Sequence, residues 1–205
     1  MRRAAVREHL LETAIEVFNR HGYHAAGVDL LIAEARVAKT TLYRHFRTKE
    51  DLIVAALHRQ DEQGRDEMRA FGEKHAQDPE GRLLATFDLL ESWFRDPGFN
   101  GCPFVSAACE HSDPSHPVFQ AAVLHKRLVL AYFEELCHAM GLAAAKRVAA
   151  TMNLLHEGAT AVAQVTRSPE PARTAKAVAA RMLEAEARQP RSQPAMVSAC
   201  SEGRA

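Results

Sequence analysis

No stretch of this 205-residue sequence is apolar for anything near the roughly 20 residues that cross a bilayer. The opening Met1-Arg2-Arg3 runs on to Glu8 and Glu12 with no apolar core of a signal peptide, so a cytoplasmic protein with no membrane partner is expected. Cysteine is scarce: Cys102, Cys109, Cys137 and Cys200 form no C-x-x-C pair and no zinc-type spacing. Free thiols packed as small hydrophobes are the ordinary expectation in a reducing compartment. Cys102 and Cys109, seven apart, could still share one side of a helix as a redox pair. Also missing are a nucleophile motif, a glycine-rich phosphate loop and paired carboxylates with an evident role, so nothing supports an enzyme. Alternating apolar and polar runs long enough for strands are absent too.

Net charge is likewise lacking, at zero overall, but it is unevenly spread. Residues 1–60 carry ten Lys/Arg against seven Asp/Glu, and the remainder carry sixteen against nineteen. Phosphate binding needs local positive charge rather than a basic whole, so the asymmetry permits a nucleic-acid partner.

Helical spacing is what the sequence has in abundance, and it predicts an all-α protein of about nine helices. Val6, Leu10, Ala14, Val17 and Phe18 form one stripe, which Gly22 closes. Short helices follow at Val28–Ala35 and Lys39–Phe46. Thr48 sits at an N-cap position with Glu50 and Asp51 in the first turn, starting a connector helix to about His75. Beyond Asp78-Pro79, helices are expected over Pro79–Arg95, Pro103–Glu110, Val118–Met140, Leu142–Arg167 and Ala172–Ala187, separated by proline- and glycine-containing breaks. The breaks divide the chain into a first helical unit, 1–48, and a longer one, 49–188, with 49–75 as connector. Residues 189–205, with two prolines and no periodicity, form an expected disordered tail.

The segment VDLLIAEARVAKTTLYRHF, residues 28–46, carries the chemistry. Two short helices on a tight turn can hold the second one in a major groove roughly 12 Å wide. Leu42 and Phe46 turn inward at i, i+4. Lys39, Thr40, Thr41, Arg44 and His45 then point largely outward, and Tyr43 can offer its ring edge and hydroxyl. Lys and Arg neutralise phosphate, while Thr and Tyr hydroxyls bond its oxygens. Lys49 adds a charge at the next helix N-terminus, whose free N–H groups suit phosphate. On spacing alone, an ordinary helical hairpin with a solvated face fits equally well.

The residues themselves go further. Leu10 to Leu57, LLETAIEVFNRHGYHAAGVDLLIAEARVAKTTLYRHFRTKEDLIVAAL, closely resembles the N-terminal domain of the TetR family of regulators. The likeness lies in the first helix ending in HGY, the AEA–V–K–TLYRHF core and the TKEDL start of the fourth helix. FNGCPFVSAACEHSDPSHPVF more loosely resembles the regulatory domain of some members. The resemblance implies a ligand-responsive DNA-binding regulator, most often a repressor, with 1–48 as its helix-turn-helix DNA-binding domain and 49–188 as its helical regulatory and dimerisation domain. It also implies a homodimer on a palindromic double-stranded operator, with Lys39, Thr40, Thr41, Tyr43, Arg44, His45 and Lys49 contacting DNA. Two positions depart from the pattern. Arg36 stands where members usually have glycine at the turn, and Gly27 where many have a Thr or Ser that caps the second helix. Both departures leave room for a helical adaptor that has lost DNA binding.

Such a regulatory domain should hold a small-molecule effector among its helices and a dimer surface on its last two. Candidate effector contacts are Phe87, Leu90, Trp93, Phe94, Phe104, His125, Leu128 and Tyr132, rings with a few polar groups that suit a ligand or an ordinary core. Candidate dimer residues are Met152, Leu155, Gly158, Ala159, Val162, Val178 and Met182, small and apolar enough for close helix approach. His111, His116 and His125, beside Glu110 and Asp113, straddle a proline-rich loop rather than one helical face, so no metal or other cofactor is expected.

Overall fold

The computed structural model describes residues 3–188. Nine helices and no strand occur among them: α1 (Arg3–His21), α2 (Val28–Ala35), α3 (Lys39–His45), α4 (Lys49–His75), α5 (Pro79–Phe94), α6 (Pro103–Glu110), α7 (Pro117–Ala139), α8 (Ala145–Thr166) and α9 (Glu170–Ala187). Cys200 and the segment 189–205 lie outside the described residues.

Local chemistry explains most boundaries. Gly22 ends α1 at φ +80°, its N–H bonding the Phe18 carbonyl at 2.8 Å. Thr48 and Asp51 form a reciprocal capping box at the start of α4, and the Asp78 side chain accepts the Gly81 N–H at the start of α5. α8 begins at Ala145 rather than the expected Leu142. The cause is Gly141 at φ +71°, whose N–H reaches back to the His138 carbonyl while that of Leu142 reaches Cys137, the paired bonds of a left-handed helix ending. Three residues are then used in turning the chain. α9 starts at Glu170, two residues early, because Pro171 is tolerated in a first turn that needs no internal N–H.

Packing produces two hydrophobic cores. The first joins Leu10, Ala14, Phe18, Leu31, Leu42 and Phe46 to Leu52, Ile53, Ala56 and Leu57 of α4. It also takes in Phe104 and Ala107 of α6 and Val118, Ala121 and Ala122 of α7. The second is built from α5, α7, α8 and α9, with Met68 of α4. α4 therefore belongs to both cores, although a boundary at residue 48 assigns it wholly to the second half.

Burying the aromatic and aliphatic side chains of these stripes contributes about 1.5–3 kcal/mol apiece before the cost of ordering the chain. Ion pairs on the outside, such as Lys176–Asp88 at 2.6 Å between α9 and α5 and Arg147–Glu186 at 2.7 Å between α8 and α9, add little by comparison.

Candidate nucleic-acid interface and adjoining cavity

The turn between α2 and α3 is a complete left-handed helix ending. Arg36 sits at φ 52°, ψ 44°, its N–H bonding the Ala33 carbonyl at 3.2 Å, while that of Val37 bonds Ile32 at 3.1 Å. Ile32 and Val37 both pack on the first core, and the His9 ring N–H of α1 donates to the Ala35 carbonyl at 2.9 Å. These contacts hold a conformation that costs a non-glycine residue about 1 kcal/mol. Arg167 adopts the same conformation at the end of α8, but its guanidinium donates to the Phe99 carbonyl and the Asn100 side chain. The Arg36 guanidinium makes no such bonds to the described residues, and its side chain is exposed.

α3 presents the expected face. Leu42 and Phe46 are buried in the first core. Thr40, Arg44 and Tyr43 are exposed, Tyr43 at 42 %, with Thr41 and His45 half-buried beside them. Lys39 is exposed and pairs at 3.3 Å with Asp29, itself nearly free in solvent. Such a surface pair is worth no more than about 1 kcal/mol and yields readily to a phosphate.

Lys49 is half-buried, its ammonium donates to the His24 carbonyl at 3.2 Å, and burial lowers its pKa. The capping box uses the Thr48 and Asp51 N–H groups at the start of α4 and leaves those of Lys49 and Glu50 outside it. Gly27 caps α2 by backbone alone, at φ −66°, ψ 160°.

α6 lies between this unit and a cavity of about 340 Å³ enclosed by α4, α5, α7 and α8. Of the effector candidates, Leu90, Trp93, Phe104 and His125 line it, and Phe87, Phe94, Leu128 and Tyr132 do not. Phe87 and Phe94 are buried in the second core, where Phe94 packs on Phe99. Tyr132 lies beneath the Arg69 guanidinium, 4.4 Å from its ring centre, and Leu128 is half-exposed. Phe104 is buried in the first core and also reaches the cavity, and sequence spacing does not say which buried rings do so.

The polar part of the wall escaped the sequence reading. Lys126 donates to both Glu157 oxygens, at 2.7 and 2.6 Å, and to Cys102 Sγ at 3.3 Å. Burial works against its charge, but the acidic neighbours outweigh it and the pKa is raised. Asp61, on α4, is 5 % exposed and accepts from Arg65 and from the His125 ring at 2.8 Å. Burial pushes its carboxyl up, yet those hydrogen bonds prevail and hold it below the usual range. His125, stacked on Phe104, is lowered chiefly by burial. His156 is buried beside them between Phe87 and Phe133. His156 and Thr160, four apart on the apolar side of α8, were the available signal, because buried polar groups at helical spacing are rarely idle.

At its other end α6 grips the first unit. The Glu110 carboxylate accepts the Tyr23 N–H at 3.0 Å and the His24 N–H at 2.6 Å, and its backbone carbonyl accepts from the His24 ring. His24, His111 and His116 stack in sequence at 4.9 Å centroid spacings, which separates the first two members of the histidine trio from His125 in the cavity. No group of three or more His, Cys, Asp or Glu is placed to hold a metal among the described residues. Cys102 and Cys109 sit at opposite ends of α6, roughly 10 Å apart by helical rise and too far for a disulfide without unwinding. Cys137 is buried in the second core, which pushes its thiol up to about 11.

The last two helices leave an apolar groove. Leu155, Gly158, Ala159, Val162 and Val178 line it. Two neighbours not foreseen, Leu154 and Val165, are 69 % and 84 % exposed. Met152, expected on this surface, is instead wholly buried in the second core, and Ala159 only floors the groove at 5 % exposure. Met182 is half-buried against the same core. α8 packs on α5, α7 and α9 at once, so part of its apolar set is claimed within the subunit.

Comparison with known proteins accounts for this arrangement. Residues 10–56 match the bacterial regulatory proteins of the tetR family, and residues 79–178 match the LmrA/YxaF-like transcriptional regulator C-terminal domain. The chain is 26 % identical over 177 residues to the HTH-type transcriptional regulator YjdC of Escherichia coli, covering 86 % of this chain and 93 % of that one. It is 31 % identical over 133 residues to the HTH-type transcriptional repressor NemR of E. coli, covering 63 % and 65 %. Among solved structures, SCO4454 of Streptomyces coelicolor, a TetR-family transcriptional regulator, superposes with a TM-score of 0.83 at 32 % identity, covering 89 % of this chain and 96 % of that one. No helix among the described residues is long and apolar enough to cross a membrane. The chain belongs to the TetR family of DNA-binding transcriptional regulators and is not an enzyme.

Proposed function

We propose that the chain is a ligand-responsive repressor that binds a palindromic operator as a homodimer and leaves it when a small molecule enters the cavity beside α6. The observation that carries this is the double engagement of α6. Phe104 at its start forms cavity wall, and Glu110 at its end holds the loop between α1 and α2. A ligand that displaces Phe104 moves Glu110 with it, since an eight-residue helix transmits displacement as a rigid body. The recognition helices of the two subunits then lose the roughly 34 Å spacing that successive major grooves demand. NemR, named as a repressor, supports that sign of regulation.

The groove between α8 and α9 supports the homodimer. Two such faces, related by a two-fold axis, would remove Leu154, Val162, Val165 and Val178 from water in a four-helix seam. In DNA contact, Arg44 and Lys39 serve phosphate, Thr40, Thr41 and His45 reach toward the groove, and Tyr43 contacts the backbone. Lys49 acts at one remove, by holding the His24 carbonyl.

The test is a gel shift with DNA from the protein's own promoter region across a salt series. A specific, salt-sensitive shift with the stoichiometry of one dimer per site is expected. A folded protein that shifts all sequences equally, or none, overturns the proposal and favours a helical adaptor.

A further inference from the structure

Most charged groups in and behind the cavity wall are already matched with one another. Lys126 is bound by both oxygens of Glu157, and Asp61 is bound by Arg65 and His125. A carboxylate ligand would sit beside Glu157 and have to break the Lys126 pair. An ammonium would meet Lys126 and Arg65. Glu67 also lines the cavity, at its exposed edge, and pairs with no basic group among the described residues. Separating a partly buried ion pair takes each charge from its partner, a loss that any new pair must first offset.

Among the described residues, His156 is a buried polar member of the wall without a side-chain hydrogen bond. His156 is 8 % exposed, lines the cavity and is held between the ring edges of Phe87 and Phe133, with centroids at 5.9 and 5.6 Å. Neither of its ring nitrogens hydrogen-bonds any described residue, while the neighbouring Thr86 and Thr160 hydroxyls donate to carbonyls of their own helices. Burial, then the nearby Lys126 and His125, push its pKa down to about 3. At neutral pH it offers one N–H donor and one bare nitrogen acceptor. A buried polar group in that condition binds a partner that completes it and discriminates against a ligand that lacks one. Met68, Leu89, Leu90, Trp93, Phe104 and Val129 make most of the remaining wall apolar, with Gln60 and Gln63 of α4 as its other polar members.

We propose that the effector is an uncharged, mostly apolar ring compound carrying one hydroxyl or amide-like group, and that His156 is the residue which hydrogen-bonds that group. The inference rests on the cavity being the effector site. It goes further in naming the chemistry admitted and the side chain that selects it.

Calorimetric titration of the full-length protein at pH 7 with 2-naphthol and with naphthalene-2-carboxylate tests it, the two probes differing mainly in charge. At least tenfold tighter binding of 2-naphthol is expected. His156→Phe should reduce 2-naphthol affinity at least tenfold, and His156→Gln, which keeps a donor and an acceptor, should restore most of it. Equal or tighter binding of the carboxylate overturns the proposed ligand class and leaves the cavity standing as a binding site. Unchanged 2-naphthol affinity in a folded His156→Phe protein removes His156 from the role. If neither probe binds the wild-type protein, the proposal falls together with the cavity's assignment. The wild-type comparison stands even if the substituted proteins do not fold.

Discussion

Glu110 and Tyr23 join the two halves of the chain across 87 residues of sequence: the carboxylate accepts the Tyr23 N–H at 3.0 Å. The Tyr23 hydroxyl returns to α6 by donating to the Pro103 carbonyl at 3.1 Å. Burial is the main reason the Tyr23 phenol is raised well above its ordinary range. The phenol therefore remains a donor at any physiological pH, and the tie does not loosen by ionisation.

Glu110→Ala should break this tie. Two backbone N–H groups lose a charged acceptor, a loss of about 1–3 kcal/mol. Urea unfolding should show that loss. Operator affinity should become less responsive to whatever ligand fills the cavity. A protein with wild-type stability and intact ligand response would disprove the role of α6.

Thr41→Ala and Tyr43→Ala should each weaken operator binding without changing the unfolding midpoint. The Tyr43 hydroxyl bonds no described residue and the side chain is 42 % exposed, so its removal leaves the first core intact. Losses of about 1 kcal/mol or more, roughly fivefold or greater in affinity, are expected for groove and backbone contacts. Gel shifts alongside circular dichroism separate the two effects.

Arg36→Gly should stabilise the protein by about 1 kcal/mol, because glycine adopts φ 52° without the crowding of a Cβ. A higher unfolding midpoint with unchanged DNA affinity is the expected pair of results. A fall in DNA affinity would instead show that Arg36 reaches a phosphate.

Acidification should destabilise the protein through His156. The unfolded chain takes up a proton near pH 6.5, while the folded one resists until about pH 3. The folded-state pKa is depressed, so stability is full above pH 6.5 and declines as pH falls below it. The slope is about 1.4 kcal/mol per pH unit. His125, also lowered, adds to the loss over the same upper range. Asp61 behaves differently: its lowered pKa keeps its contribution intact until pH falls below the ordinary carboxylate range. Comparing unfolding at pH 7 and pH 5.5 should show a smaller drop for His156→Phe than for the wild type.

Val165→Glu and Leu154→Glu should yield folded monomers in sedimentation experiments, and both should lose operator affinity. Neither side chain is needed by the subunit's own core. Retention of a dimer in both would move the interface elsewhere.

Much of this was legible in residue order. Helix starts and stops are local events, and Thr48 with Asp51, Gly22 and Pro103 act through neighbours a few positions away. Leu42 and Phe46 had to face inward once α3 was helical, which left Tyr43 and Arg44 outside. The TLYRHF core identified the family because its spacing is local as well.

Tertiary structure decided the rest. Met152 and Val165 occupy the same helix and both look suited to an interface. Only the positions of α5, α7 and α9 determine that the first is buried and the second bare. Phe87 and Leu90 present the same ambiguity between core and cavity wall. The bond of Lys49 to the His24 carbonyl, 25 residues away in sequence, likewise depends on the fold. Sequence by itself determined the helices, the turn and the family, since those follow from contacts within a few residues along the chain. It could not determine the Glu110–Tyr23 tie or the unmatched His156, because each depends on which distant helix supplies the neighbouring group.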